Sequence, residues 1–328
     1  MIASAHEVYV LDEAAIEAAM ATTSPDPFSA YFGNEYQFFF WGLVSFVAVS
    51  TILAASAFRL FEPTIGPLLM RLKRYARFIV RLTAGATLLT FGYYGVLYGP
   101  ELPLPEIFGA WTPTVQALLI CLGIALILGT YTRIAALVAL GVYIAASLVL
   151  GAYVLTYASH FGAYLLLLIL GGGEWSLAAL WRFARSPEWL RVKSRQLRAL
   201  AFPIMRVAFG VGIMYAAVYA KYIHSELALA VVAKYGLTDY FPFDPLFIVL
   251  GALIVEFLAG LMIVLGVEIR WTALFLVFWL TMGHLFMHEE WWVHLVLYGL
   301  GLAIVCHGYD RYSLEGKYLK RKEWEPVL

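Results

Sequence analysis

Residues 121–133 read CLGIALILGTYTR, and residues 257–270 read FLAGLMIVLGVEIR. Each stretch is a long apolar run that ends on a glycine, with an arginine four residues later. Aligned on that ending, the two stretches share their glycines and arginines: Gly123 with Gly260, Gly129 with Gly266, and Arg133 with Arg270. The same pattern at two places in one chain predicts that the protein is built twice from one helical unit.

The composition is that of a membrane protein. Of 328 residues, 62% are hydrophobic and 13% are charged, and the mean hydropathy is +0.81. A soluble domain has about 45–50% apolar and about 25% charged residues. The basic residues are scattered between apolar runs and form no known basic motif, which argues against nucleic-acid binding. The lipid bilayer is therefore the first partner that the sequence predicts.

The predicted fold class is all-α integral membrane, with about nine transmembrane helices. One leading span is followed by two four-helix bundles, and because four is an even number the two bundles have the same orientation. The predicted spans are about 36–57, 78–98, 113–131, 134–155, 160–181, 202–222, 245–266, 271–288 and 291–307.

The predicted organisation along the chain follows from these spans. It consists of an acidic extracytoplasmic segment 1–35, the leading span 36–57, a degenerate first unit 78–181, a basic cytoplasmic linker 182–201, a second unit 202–315 with ionisable residues, and a cytoplasmic tail 316–328.

The charged residues predict the orientation of the spans. Of the 22 Lys and Arg residues, only Lys221 and Lys234 fall on the side that also holds the N-terminus. Cytoplasmic loops carry the excess of Lys and Arg. We therefore expect a multi-pass protein of the cell (plasma) membrane, with its N-terminus outside and its C-terminus in the cytoplasm.

Comparison of the two units separates architecture from chemistry. Both units have the glycines and arginines, which are expected to build the bundle. At matched positions, only the second unit has ionisable side chains: Glu256 against Leu119, Lys221 against Val96, His284 against Ser147, and His288 against Gly151. These second-unit residues are therefore the candidates for function.

Glu256 lies near the middle of the seventh predicted span, where a carboxylate is costly and usually faces a partner or a cavity. Its expected partner is Lys221 or Arg206 from the sixth span. Glu256 and Lys221 are the candidate catalytic residues, and a buried structural ion pair is the alternative. Tyr219, His284 and Tyr298 are candidate cofactor-binding residues, although tyrosines in a bundle commonly only pack or form hydrogen bonds.

A second candidate site lies in residues 281–294, TMGHLFMHEEWWVH. His284 and His288 are spaced i, i+4, which predicts one helical face, and His294 follows on the next span. Three imidazoles near one surface make a workable zinc or copper site. The alternative is that these histidines belong to a polar and aromatic belt at the membrane surface.

The second unit resembles the DoxX/DoxD family of small membrane proteins, whose unit is a four-helix bundle. The resemblance rests on Arg206, Gly210 and Lys221, then on Glu256, Gly260, Gly266 and Arg270. DoxD-like proteins are associated with thiosulfate:quinone oxidoreductase. The resemblance therefore implies a membrane subunit of a quinone-linked oxidoreductase, with other membrane or extracytoplasmic redox subunits as partners.

Three functions follow as alternatives. The first is a redox-linked, quinone-associated membrane subunit with an outer-facing His/Glu/Lys site. The second is a non-catalytic scaffold subunit of a larger membrane complex, and the third is a metal- or proton-handling membrane protein. The candidate cofactors are a quinone, or a copper or zinc ion. The chain contains no haem-attachment or nucleotide-binding motif.

Overall fold

The computed structural model describes residues 10–32, 34–181 and 186–319. Helices dominate these ranges, together with two short antiparallel strands, β1 (Val96–Leu97) and β2 (Gly99–Pro103). The α-helices are α1 (Glu13–Ala21), α2 (Asn34–Leu72), α3 (Ala76–Tyr94), α4 (Leu104–Phe108), α5 (Thr112–Leu128), α6 (Thr132–Leu150), α7 (Ala158–Leu170), α8 (Leu177–Leu180), α9 (Glu188–Gln196), α10 (Arg198–Val218), α11 (Ser225–Lys234), α12 (Leu237–Tyr240), α13 (Pro245–Leu265), α14 (Ile269–Met287) and α15 (Leu295–His307).

The fold class is all-helical, and five helical stretches of the described residues are long and apolar enough to cross a membrane. They are Leu104–Leu128, Thr132–Leu170, Arg198–Ile223, Pro245–Leu265 and Ile269–Met287. Two further apolar stretches, Gln37–Ser50 and Trp291–His307, are shorter. The expected membrane environment is therefore supported by length and composition. The count of nine spans stays a prediction.

Helix ends in the bundle follow local sequence signals. Proline is well tolerated in the first turn of a helix, where its missing N–H is not needed, and Pro113 and Pro245 lie in the first turns of α5 and α13. Asp244 caps α13 by accepting a hydrogen bond from the Leu246 amide at 2.8 Å. Gly129 and Gly266 end α5 and α13 in the left-handed conformation, which glycine adopts without strain.

Eight helices pack as two related sets of four. The first set is α3, α5, α6 and α7, and the second set is α10, α13, α14 and α15. α3 packs along α5 in the first set, and α10 packs along α13 in the second. The contacts between the sets are also matched, since α7 packs along α10 and α15 packs along α3. The first and last helices of each set therefore form the interface with the other set.

The backbone repeats at the residue level. Positive φ angles occur at paired positions that are separated by the same interval along the chain. The pairs are Gly129 with Gly266 (71° and 73°), Tyr131 with Glu268 (45° and 46°), and Gly171 with Gly308 (74° and 76°).

Two glycine contacts bring the paired helices together. A Cβ atom on Gly85 of α3 would lie 2.9 Å from the Gly123 carbonyl oxygen of α5. A Cβ atom on Gly210 of α10 would lie 2.5 Å from the Gly260 carbonyl oxygen of α13. Small residues let helix backbones approach closely, so these glycines are required by packing.

One arginine joins the two helices of each pair at one end, and the two arginines are at matched positions. Arg81 Nη1 donates to the Leu126 and Ile127 carbonyls, at 2.9 Å each. Arg206 Nη1 donates to the Ile263 and Val264 carbonyls, at 2.6 and 2.5 Å. The last carbonyls of a helix lack partners within the helix and attract cations. We call this end of the bundle, with Arg81 and Arg206, the basic end.

The acidic N-terminal segment packs against the bundle. Asp12 caps α1 by accepting a hydrogen bond from the Ala15 amide at 2.9 Å, and α1 lies against α11. Ser225 donates its hydroxyl to the Pro25 carbonyl at 2.5 Å, and Ile16 is buried in the main core. Residues 10–32 are therefore attached to the second set of helices.

Candidate functional site

Lys221 and Glu256 meet between α10 and α13. α10 passes into a π-helical turn, Tyr219–Ile223, and such turns are frequent at functional sites. Lys221 Nζ lies 2.8 Å from Glu256 Oε2, and the two side chains are 21% and 17% exposed. The two candidate catalytic residues are therefore ion-paired and mostly removed from solvent.

Trp279 completes the surroundings of the carboxylate. Its indole Nε1 donates to Glu256 Oε1 at 3.0 Å from the neighbouring helix α14. Both carboxylate oxygens are thus hydrogen-bonded, each to a side chain on a different helix. A charge-assisted hydrogen bond is stronger than a neutral one, so the three residues join α10, α13 and α14 at this level of the bundle.

The first set of helices has only apolar side chains at the matched positions. Val96 matches Lys221, Leu119 matches Glu256, and Val142 matches Trp279 on the intervals that relate the two sets. Leu119 is fully buried and Val142 nearly so. Sequence reasoning missed Trp279, although its mismatch with Val142 was a usable signal.

Arg206, the alternative partner expected for Glu256, is engaged elsewhere. Its Nε lies 2.9 Å from Asp310 Oδ2, and both side chains are buried. Arg206 belongs to the basic end, whereas Lys221 follows the opposite end of α10. About 22 Å of helix therefore separates Arg206 from Lys221 at 1.5 Å per residue, and the carboxylate partner of Arg206 is Asp310.

The structure divides the predicted histidine cluster. His284 Nδ1 lies 2.5 Å from the Glu289 carbonyl oxygen, and His294 Nδ1 lies 3.7 Å from Glu289 Oε2. His284 and His294 are therefore both next to Glu289. His294 is buried, and it lies in the 3-10 turn that precedes α15.

The expectation that His284 and His288 share a helical face is wrong. α14 ends at Met287, and His288 is the residue after it, with φ 54° and ψ 34°. A left-handed residue turns the chain out of the helix, so the i, i+4 relation does not hold, and His288 is exposed. No group of three or more His, Cys, Asp or Glu residues that could hold a metal ion occurs in residues 10–32, 34–181 and 186–319. The metal assignment for His284, His288 and His294 stays a prediction.

The two candidate cofactor tyrosines lie in different surroundings. Tyr219 packs its ring against Tyr153 and His224, with centroids 4.9 and 4.7 Å apart, two residues before Lys221. Tyr298 has its hydroxyl 3.2 Å from Thr281 Oγ1.

Thr281 and Trp279 are two residues apart on α14, so their side chains point to nearly opposite sides of that helix. Thr281, which contacts Tyr298 of α15, therefore lies on the side of α14 away from Glu256, and His284, three residues later, lies near that side. The predicted His/Glu/Lys site is two sites, which we call the carboxylate site (Lys221, Glu256, Trp279) and the histidine site (His284, Glu289, His294).

The first set of helices also contains buried ionisable groups, contrary to the expectation that only the second does. Glu101 on β2 is buried and accepts a hydrogen bond from the Tyr157 hydroxyl. His160 is buried beside the Tyr98 ring, with centroids 4.8 Å apart. The mismatch of His160 with Leu297 was a usable signal that sequence reasoning did not use, whereas Glu101 lies in the connection between α3 and α5.

Tyr235 holds the N-terminal segment next to the histidine site. Its hydroxyl lies 3.2 Å from the Val10 carbonyl oxygen and 2.7 Å from the Met287 carbonyl oxygen. Burial raises the pKa of Tyr235, and the negative charge of Glu289 raises it further. The phenol therefore remains a hydrogen-bond donor through the physiological pH range.

The Lys221–Glu256 ion pair is one of the two pairings that the position of Glu256 in an apolar helix predicted, the other being with Arg206. No protein-family model, curated protein or solved structure matches the chain.

Proposed function

We propose that this protein is a DoxX/DoxD-like, quinone-associated membrane subunit whose chemistry is in the carboxylate site. The observation that carries the proposal is the Lys221–Glu256 ion pair, with the Trp279 indole on the second carboxylate oxygen. A charged pair inside an apolar bundle is costly, and such residues usually mark a functional site. Its replacement by Val96 and Leu119 in the other set indicates that the bundle does not need this pair in order to fold.

The donor chemistry of the carboxylate site fits a quinone. A quinone head group is a flat ring with two carbonyl oxygens that accept hydrogen bonds. Lys221 carries an ammonium group with three N–H donors, which such oxygens require, and the Tyr219 ring lies at the same π-helical turn. In this proposal Glu256 holds Lys221 and Trp279 in place.

The proposed membrane arrangement has one leading span and two parallel four-helix units, with nine spans in total. The matched positive-φ pairs and the matched arginine contacts support two units of one design. In the proposed orientation, the protein lies in the plasma membrane and its basic end faces the cytoplasm. A membrane-impermeant thiol reagent tests this orientation. It should label a cysteine at Tyr240, which is 76% exposed, and miss one at exposed Glu174. The opposite labelling would reverse the orientation.

The quinone proposal is tested by measuring how much quinone co-purifies with the protein from its native membrane. Purified wild type should contain a quinone in roughly stoichiometric amount, as measured by solvent extraction and mass spectrometry. Glu256→Gln should reduce that amount by about tenfold, the change that about 1.4 kcal/mol of binding free energy produces. Arg311→Gln, which changes one exposed charge at the other end of the bundle, is the matched control. A wild-type content no higher than that of the surrounding lipid would reject the proposal.

A non-catalytic scaffold subunit is the second candidate, and one observation favours it. Both oxygens of Glu256 are already bound by protein side chains, as in a purely structural ion pair. A scaffold should purify with partner subunits in fixed ratio, and this ratio should persist in the Lys221→Val, Glu256→Leu double variant. A quinone subunit should instead lose its quinone in that variant.

Metal or proton handling is the third candidate, and it belongs to the histidine site. His284 and His294 lie on either side of Glu289, and all three are groups that bind metals or carry protons. Elemental analysis of wild type beside a His284→Ala, His288→Ala, His294→Ala variant tests the metal alternative. Failure of wild type to retain a transition metal after loading would remove it.

A further inference from the structure

A cavity of about 540 Å³ lies at the basic end of the first set of helices. It is bounded by the glycine-rich loop after α7, by the start of α6 and by the start of α10. Its polar side chains are those of Thr132, Arg133, Ser176, Ser186 and Arg198, and Gly172 and Gly173 also line it. Neither the carboxylate site nor the histidine site includes any of these residues.

The matched loop of the second set contains an acidic side chain. Asp310 follows α15, and its carboxylate accepts from Arg206 Nε at 2.9 Å and from the Tyr312 amide at 2.8 Å. Asp310 is buried. The second set therefore carries its own anion next to Arg206, the arginine that matches Arg81.

The first set lacks that anion. Gly173 takes the place of Asp310, and it lines the cavity. Arg81, the counterpart of Arg206, is 1% exposed, and its Nε has no hydrogen-bond acceptor. A buried guanidinium N–H without an acceptor is costly. The two sets thus have the same arginine, but only one has the carboxylate that satisfies its Nε.

Positive charge is concentrated around the same loop. A Cβ atom on Gly173 would lie 2.6 Å from Arg77 Nε, and one on Gly171 would lie 2.5 Å from Arg133 Nη1. Arg198 reaches the cavity from α10. The acidic residue in electrostatic range of Arg77 is Glu174, which is exposed. Arg133 and Arg198 therefore line the cavity and Arg77 lies next to it, whereas the side chain of Glu174 is exposed to solvent.

Hydroxyl groups complete the lining. Thr132 is 3% exposed, and its Oγ1 has no hydrogen-bond partner although it borders the cavity. Ser176 lies on the loop itself, and a Cβ atom on Gly172 would be 2.8 Å from Thr132 Oγ1 and 3.0 Å from Ser176 Oγ. Gly172 thus leaves open the space in front of the Thr132 hydroxyl, and the Ser176 hydroxyl donates to the Gly173 carbonyl oxygen at 2.6 Å.

We propose that this cavity, where Gly173 stands at the position of Asp310, binds a phosphate group between Arg133 and Arg198. Arginine is the side chain best matched to the several oxygens of a phosphate, and a glycine-rich loop allows close approach of the backbone. A phospholipid head group and free inorganic phosphate share this chemistry. The lipid source is supported by α9, which packs against α7 and α10 and exposes Trp189 and Val192, as a helix at a membrane surface does.

The test is binding to the full-length protein in a neutral detergent. Three probes are compared by native mass spectrometry: inorganic phosphate, phosphatidylglycerol, and a neutral glycolipid with the same acyl chains. Phosphatidylglycerol or inorganic phosphate should bind, and the neutral glycolipid should not. Retention of phosphatidylglycerol alone identifies a lipid head group, and binding of inorganic phosphate alone identifies the free ion.

Two variants and one control assign the binding to the cavity. Arg198→Gln and Gly173→Asp should each weaken phosphate binding by about tenfold or more, as expected for one lost or neutralised charge-assisted contact. Arg198 is exposed, so Arg198→Gln tests the proposal even if Gly173→Asp does not fold. Arg311→Gln removes an exposed charge from the matched loop of the second set and should bind as wild type does. Binding of neither phosphate probe, or binding that Arg198→Gln and Arg311→Gln reduce equally, would overturn the proposal.

Discussion

Lys221 and Glu256 form an ion pair 2.8 Å long at positions where the first unit of the same chain has Val96, on β1, and Leu119, on α5. The chain thus contains its own apolar version of the site. Leu119 is fully buried at the position of Glu256, so the four-helix design accepts a large aliphatic side chain there. This comparison makes specific changes at the carboxylate site interpretable.

Glu256→Leu alone should destabilise the protein, because it leaves the Lys221 ammonium without its counter-ion. Breaking a fully buried pair costs about 3–5 kcal/mol, and partial exposure of this pair lowers our expectation to roughly 1–3 kcal/mol. The double variant Lys221→Val, Glu256→Leu should be more stable than Glu256→Leu alone. Thermal and denaturant unfolding in detergent measure both. Strictly additive effects of the two changes would mean that the residues are not coupled.

Trp279→Phe should leave one carboxylate oxygen of Glu256 without its donor while keeping most of the ring contacts. The expected loss of stability is about 1–2 kcal/mol, the usual cost of an unsatisfied buried acceptor. In the Glu256→Leu background the same change should cost much less, since no carboxylate then needs the indole. An equal cost in both backgrounds would show that Trp279 acts through packing alone.

Gly210→Ala should destabilise the pairing of α10 with α13. Its Cβ atom would lie 2.5 Å from the Gly260 carbonyl oxygen, and an added methyl group in a packed interface costs about 1–3 kcal/mol. Gly85→Ala should do the same between α3 and α5. Gly141→Ala, in the middle of α6 with nothing near its Cβ position, is the control and should keep wild-type stability or exceed it. Equal behaviour of all three would contradict the close helix contacts.

His288→Gly should stabilise the protein. A left-handed residue with a Cβ atom costs about 1–2 kcal/mol, and the greater freedom of glycine in the unfolded chain offsets part of that gain, which leaves roughly 0.5–1 kcal/mol. Gly151→Ala, at the matched position with φ 56° and ψ −136°, should instead be destabilising. A loss of stability in His288→Gly would indicate that the imidazole makes a contact worth more than the strain.

The sequence was most informative where backbone packing demands particular residues. Glycines at helix contacts and arginines at helix ends occur in both halves of the chain, so the repeat was readable from Gly123, Gly260, Arg133 and Arg270. The pairing of Glu256 with a basic residue was also predictable, because a lone carboxylate in an apolar helix needs a partner.

Other features carried no distinct sequence signal. Tryptophan in an apolar helix usually packs, so the bond from Trp279 to Glu256 was not predictable from its position. The end of α14 was hidden because His288 stands where Gly151 marks the end of α6. Whether His284 faces Tyr298 or Glu256 depends on the rotation of α14, which the spacing of apolar residues does not determine when every face is apolar.

The central claim is that the chemistry of this protein belongs to the carboxylate site and not to the bundle as a whole. The most direct measurement is the bound quinone per purified protein in two matched variants. One carries Lys221→Val, Glu256→Leu and Trp279→Val, which copy the first set of helices, and the other carries Leu119→Ala and Val142→Ala within that first set. We predict that the first variant remains folded and loses its quinone, and that the second retains the wild-type amount. Equal retention or equal loss in the two variants would contradict the claim.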